Sequence, residues 1–226
     1  MGSNPPRLSV TTRSGRVTIE CGAGDAVRVE GGQIETLADG SVRIDAQGDG
    51  SSRVRVRCPA GTDLSVGTAS GRVEVHGPAG AVHVTTSNGR IEVEQASSVE
   101  ARSSSGRVTI GCCDGACRAV SQHGRITVGT AGRVELSGVS GRIEVGDAGG
   151  AVVRTVSGSV EIGARAGAVV DVHSVSGRVD VEVPAGSAPA AVLESTSGRV
   201  SCDCPTGTDG RIEVRTTSGS IRVSAR

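Results

Sequence analysis

SGRVEV at Ser70–Val75 is followed by NGRIEV at Asn88–Val93, SGRVTI at Ser105–Ile110, HGRITV at His123–Val128 and SGRIEV at Ser140–Val145. The same phrase opens the chain as SGRVTI at Ser14 and closes it as SGSVEI at Ser157, SGRVDV at Ser176, SGRVSC at Ser197 and SGSIRV at Ser218. From Gly71 to Gly177 the glycines recur about every 17 to 19 residues, and the last two intervals are about 21. A period of this size belongs to a protein of stacked rungs, each resting only on its neighbours.

Positions two and four places after each glycine are apolar, as in Val73 and Val75, Ile91 and Val93, Val108 and Ile110, or Ile143 and Val145. Polar residues alternate with them, which is the pattern of a strand with one buried face. A second alternating pair lies seven and five places before the glycine: Leu8 and Val10, Leu64 and Val66, Val82 and Val84, Val170 and Val172, Ile212 and Val214. The expected fold is therefore all-β: a single parallel β-solenoid, or β-helix, of about ten rungs with two short strands per rung. Neither strand can bury its face alone, so the rungs must stack.

The corner between the strands carries two hydroxyl columns. One lies three places before the glycine (Thr12, Thr68, Thr86, Ser103, Ser121, Thr155, Ser174, Ser195, Thr216) and the other directly before it (Ser14, Ser70, Ser105, Ser140, Ser157, Ser176, Ser197, Ser218). Glycine allows the positive φ of a tight corner, and the hydroxyls can bond backbone groups that the turn leaves unpaired. A regular ligand-binding array would show the same spacing, but the structural role accounts for it without a ligand.

Composition narrows the class. The chain of 226 residues has no Phe, Tyr or Trp and 35 glycines, so its core must be thin and filled by Val, Ile, Leu and Ala. Its 24 basic and 24 acidic residues cancel, and no nucleic-acid partner is favoured. No apolar run reaches the roughly 20 residues of a membrane span, so membrane insertion is not expected. MGSNPPRLSV at the start has neither a basic nor an apolar export region. The chain as written is expected in the cytoplasm, or at the envelope if an export signal lies upstream.

Residues 1–57 are less regular, with ADGSVRI at Ala38 as a degenerate copy of the phrase. They read as an N-terminal cap, with room for an extra hairpin, ahead of a regular solenoid over 58–226; the whole is one continuous domain. The run VRCPAGTDLSVGTASGRVEV at Val56–Val75, followed by repeated T-x-S-G-x-V-x-V rungs, resembles a bacterial domain family of unknown function whose members are called putative adhesins. The resemblance covers roughly Cys58 to Arg226 and implies a parallel β-solenoid, often in envelope-associated or membrane-anchored proteins. Many members of that family place Asp after the corner glycine. Here Arg72, Arg90, Arg107, Arg125, Arg142, Arg178 and Arg199 stand there.

Stacked about 4.8 Å apart, those arginines would form a positive stripe suited to an anionic polymer. Glu74, Glu92, Glu144, Glu161 and Asp180, two places further on, would form an acidic ladder beside it. Pairing between the ladders would neutralise both, and zero net charge favours that outcome. Among seven cysteines, CCDGAC at Cys112 invites a zinc site of Cys112, Cys113, Cys117 and His123, but it lacks the paired knuckles of a strong zinc signature. Alignment on the rungs instead makes Cys21, Cys112, Cys117, Cys202 and Cys204 inward core residues, and only Cys113 escapes the pattern. No catalytic motif is present, and no catalytic, metal or cofactor-binding residue is expected. The chain reads as a non-enzymatic scaffold, a rigid rod offering repetitive faces to a protein partner or to itself. The alternative is an adhesin-like module for a glycan or envelope polymer.

Overall fold

The computed structural model describes residues 6–24, 26–37, 41–46 and 53–226. Among them there is no helix. The strands are β1 (Arg7–Gly22), β2 (Arg28–Glu30), β3 (Gln33–Thr36), β4 (Val42–Ala46), β5 (Arg53–Pro59), the long extended run β6 (Asp63–Val183), β7 (Ala190–Ser197), β8 (Val200–Cys202) and β9 (Arg211–Ala225). The chain divides into two compact units, Met1–Asp114 and Gly115–Arg226. Each is β-solenoid-like.

In the first unit β1 lies parallel to the start of β6 with equivalent residues in register: Leu8 against Leu64, Val10 against Val66, Gly15 against Gly71, Val17 against Val73 and Ile19 against Val75. These residues are 56 apart in the chain, because β4 and β5 pack on the other flank of β1. There β4 and β5 run parallel to β1, pairing Val10 with Ile44 and Ile19 with Val56. Strands β2 and β3 then pair antiparallel with β5 and β4. The sheet is thus mixed, which corrects the wholly parallel expectation. The cause is an outer edge that the chain itself doubles back to cover. Ala38 to Gly40, at the degenerate copy of the phrase, lie outside the described residues.

In the second unit stacking order also departs from chain order. β9 pairs parallel with the end of β6, setting Gly177 against Gly219 and Val179 against Ile221. The preceding stretch, β7 and β8, lies outside β9, with Leu193 against Val214 and Cys202 against Val223.

The alternating positions are buried as the pattern requires. Val17, Val73, Ile91, Val108, Ile126, Val160 and Val179 are each at most 1 % exposed. Burying each such side chain contributes about 1.5–3 kcal/mol before conformational entropy is counted. A third inward column of small residues completes the cross-section: Ala79, Ala96 and Cys113 in the first unit, Ala131, Ala148 and Ala164 in the second.

The corner glycines answer to two constraints. Gly141 has φ +137, and a Cβ there would sit 1.9 Å from the carbonyl oxygen of Gly124 in the neighbouring rung. Gly89 has no left-handed φ, yet a Cβ would sit 2.3 Å from the carbonyl oxygen of Gly71. Close approach of stacked backbones therefore demands glycine even where φ does not.

Candidate functional site: the charged faces

The hydroxyl column three places before the glycine is turned inward. Thr12, Thr68, Thr86, Ser103, Ser121, Thr155, Ser174 and Thr216 are all buried. Thr12 Oγ1 donates to the carbonyl of Ser14 at 2.9 Å and Ser174 Oγ to that of Ser176 at 3.2 Å. The hydroxyls directly before the glycine reach between rungs instead, Ser157 Oγ to Val139 O at 3.3 Å and Ser176 Oγ to Val156 O at 3.4 Å. A buried column cannot meet a ligand: Thr12, Thr68, Thr155 and Ser174 brace their corners, while the hydroxyls of Thr86, Ser103 and Ser121 have no hydrogen-bond partner among the described residues.

The outward residues after the glycine form the expected charged face. In the first unit Arg72 lies 2.7 Å by its Nε from Glu74 Oε1, an ion pair without hydrogen-bond alignment, and its Nη2 donates to both oxygens of Glu92 at 2.8 and 3.1 Å. Hydrogen bonding to Glu92, with the charge of Glu74 behind it, holds the Arg72 guanidinium above its ordinary pKa. Arg16 reaches Glu74 at 4.0 Å and Arg90 reaches Glu92 at 3.8 Å. In the second unit Arg142 pairs with Glu144 at 3.4 Å, and Thr127 Oγ1 donates to the same carboxylate at 3.2 Å. The ladders do pair here. Among the described residues Arg107, Arg125, Arg178 and Arg199 make no ion pair. For Arg107 and Arg125 the reason is sequence: Thr109 and Thr127 replace the acid two places on.

A second charged face, on the strand before the glycine, was not singled out from sequence. Arg118 pairs with Glu135 at 2.7 Å, His83 with Glu100 at 3.1 Å, and Arg215 with Glu194 at 3.0 Å and with Glu213. Arg211 donates to Glu213 at 2.6 Å. That bond, helped by the charge of Arg215, holds the Glu213 carboxyl below its usual range, and Arg118 does the same for Glu135. The missed signal was simple: charged residues alternate with the buried pair on this strand too.

A groove of about 800 Å³ runs along the first face of the second unit. Its lining includes the bare backbone of Gly129, Gly146 and Gly163, the carboxylates of Glu144, Glu161 and Asp180, and the guanidiniums of Arg178, Arg199 and Arg222. The Arg226 side chain reaches into it, donating to Gly146 O at 3.2 Å beside Asp147 at 3.7 Å. Both signs of charge line the groove, so it suits a partner carrying both rather than a uniform polyanion.

The cysteines require correction. Cys113, expected to escape the core, is 1 % exposed, while Cys112 is only half-buried. In the central rungs the inward position falls seven places after the glycine, as at Ala96, Ala131 and Ala148, one later than at Cys21. Cys202 sits at an inward register position but is exposed, and Cys204 is half-buried, because their rung is outermost in this unit and none of the described residues pairs with β8 on its far side. Cys21, Cys58 and Cys117 are buried. Among the described residues no group of three or more His, Cys, Asp or Glu side chains is placed to hold a metal ion.

These features define an all-β repeat protein whose charged faces are paired in part, with Arg107, Arg125, Arg178 and Arg199 making no ion pair among the described residues. Residues 49–226 match the family described as Toastrack DUF4097, and the chain belongs to that family. No curated protein matches the sequence. Two solved structures are similar. One is a putative adhesin from Parabacteroides distasonis ATCC 8503, 14 % identical over 100 % of this chain and 94 % of that one, with a TM-score of 0.48. The other is a putative cell adhesion protein from Clostridium sporogenes ATCC 15579, 10 % identical over 100 % and 94 %, with a TM-score of 0.26. Among the described residues no helix is long and apolar enough to cross a membrane.

Proposed function

We propose that this protein is a non-enzymatic interaction scaffold of about ten rungs, two short strands to a rung, that offers repetitive faces to a protein partner or to another copy of itself. On this reading residues 1–57 act as the cap and 58–226 as the regular solenoid. The observation that carries it is the outer edge of the second unit. Among the described residues β7 and β8 pair only with β9, and their Val192 and Val200 are 39 % and 42 % exposed. An unpaired strand edge with exposed valines is a template for another strand. The first unit differs, since β2 and β3 cover its outer strands.

The test is sedimentation velocity over a concentration series, with electron microscopy of the same samples. Wild-type protein should associate as concentration rises, and Val192→Lys with Val200→Lys should remain monomeric. Wild type that stays monomeric throughout refutes self-association. A second reading, an adhesin-like module for a glycan or envelope polymer, draws on the groove with the unpaired Arg178 and Arg199 beside Ser201 and Ser220. Retention of the monomer on an envelope polymer or glycan carrying both charges, abolished by Arg178→Ala with Arg199→Ala, would favour it.

A further inference from the structure

The first unit holds a pair of thiols that neither the charged faces nor the proposed scaffold role uses. Cys21 is the penultimate residue of β1, before Gly22, and Cys58 the penultimate residue of β5, before Pro59; the two strands run parallel with Cys21 directly opposite Cys58. Their Sγ atoms are 3.5 Å apart and buried, though the residues are 37 apart in the chain. On the far flank of β1 the next position is Gly77, where a Cβ would meet the Cys21 carbonyl at 2.0 Å, so no third side chain reaches the pair from there. A groove of about 480 Å³ opens against both cysteines, bordered by Glu20, Gly22, Gly24 and Arg57.

We propose that Cys21 and Cys58 are a modification site: a dithiol that a low-molecular-weight disulfide entering this groove oxidises to a bond between neighbouring rungs. Adjacent strands lie about 4.7–4.9 Å apart, inside the roughly 4.4–6.8 Å span of Cα atoms that a disulfide bridges. The sulfurs must close from 3.5 Å to about 2.05 Å. Both residues stand at strand ends, where the ladder constrains them least. The hydrogen bond between the thiols divides their roles. It lowers the Cys58 pKa and, together with burial, raises that of Cys21.

Cys58 is thus the attacking thiolate and Cys21 the resolving thiol. The Cys58 thiolate attacks one sulfur of the small disulfide, forming a mixed disulfide and expelling one thiolate. That thiolate takes the Cys21 proton, and the Cys21 sulfur then attacks Cys58 Sγ and expels the second thiolate, which takes up the proton lost by Cys58. Two protein thiols are oxidised, one small disulfide is reduced to two thiols, and two protons move with them. The product fastens β5, whose other flank carries only the three-residue β2, to β1.

The test uses the whole chain with Cys202→Ser and Cys204→Ser, which removes a second close pair, at 3.2 Å. Native protein is incubated with oxidised glutathione, quenched with an alkylating reagent and mapped by mass spectrometry, then treated with dithiothreitol. The expected result is a loss of two hydrogens, a linked peptide pair containing Cys21 and Cys58, a melting midpoint higher by at least about 4 °C, and full reversal by reductant. Mapping needs no further variant. Cys58→Ala and Cys21→Ala, if folded, should respectively take up no glutathione at this site and retain one on Cys58. Both thiols remaining alkylatable after denaturation, or a stable glutathione adduct on Cys58 in the presence of Cys21, overturns the proposal.

Discussion

Replacing corner glycines with alanine separates the two constraints that select them. Gly61 has φ +74, and no atom lies within 4 Å of the place an added methyl would take, so Gly61→Ala imposes left-handed strain alone, about 1–2 kcal/mol. Gly89 carries no left-handed φ, but its new Cβ would lie 2.3 Å from the Gly71 carbonyl oxygen and 3.2 Å from the Gly71 nitrogen. The shortest contact is backbone, held by the ladder; Thr86 Oγ1, at 3.0 Å, belongs to a side chain that can turn aside, but the Gly71 carbonyl cannot. Relief requires the rungs to part, at an overpacking cost of about 1–3 kcal/mol. Gly141 combines φ +137 with a 1.9 Å approach to the Gly124 oxygen, and the two effects together reach about 2–5 kcal/mol.

A domain's whole stability is of the order of 5–15 kcal/mol, so the difference is measurable. Urea denaturation followed by far-ultraviolet circular dichroism gives the midpoints. Gly186, with φ +84 and open space around it, supplies the strain-only control in the second unit. The expected order of destabilisation is Gly141→Ala largest, with Gly186→Ala small beside it. In the first unit Gly89→Ala should destabilise although its backbone is unstrained. Wild-type stability for Gly89→Ala would refute close approach as the reason for glycine. Equal losses for Gly141→Ala and Gly186→Ala would refute it in the second unit.

Other consequences are open to direct measurement. Arg142→Ala, at an exposed pair, should change stability by less than about 1 kcal/mol, far less than Gly141→Val, as the two melting curves would show. Thr12→Val loses a 2.9 Å hydrogen bond and should cost about 1 kcal/mol, whereas Thr86→Val, whose buried Oγ1 has no partner, should be neutral or stabilising in the same denaturation assay. Desolvation, then the hydrogen bond with Cys202, pushes the Cys204 thiol up to about 11, so its alkylation should be slow at pH 8 and accelerate as pH approaches 11. Glu135 and Glu213 have pKa values depressed by Arg118 and Arg211, so their contribution is present above the unfolded value and lost as pH falls through the lower folded one. The melting temperature should therefore fall on acidification below about pH 4.3, and less so in Glu213→Gln.

Period and alternation carried most of the fold into view, because a residue such as Val73 has one inward place whatever the stacking order. Stacking order itself was hidden. Gly15 rests on Gly71 and Gly177 on Gly219, and nothing in the local phrase tells a rung which neighbour in the chain to skip. The same blindness produced the errors among the cysteines. Cys202 has the inward register of Val223 beside it, yet register specifies burial only when a second rung lies beyond, and among the described residues β8 has none. Cys112 and Cys113 exchanged roles because the central rungs carry one more residue between the glycine and the small inward column. Gly111, Gly129 and Gly146, each five places after a corner, lie in such rungs; at Gly111 and Gly146 a Cβ would come within 2.7 Å of the neighbouring backbone. The charged faces were legible only as far as their partners were. Arg72 finds Glu92 twenty residues on because the period brings them side by side, while Arg178 has Asp180 in its own rung and still makes no ion pair. A repeat therefore announces which side chains share a face. Which of them remain available to a partner is decided by the places where the repeat fails, at the outer strands β7 and β8 and at the arginines that the acidic ladder does not reach.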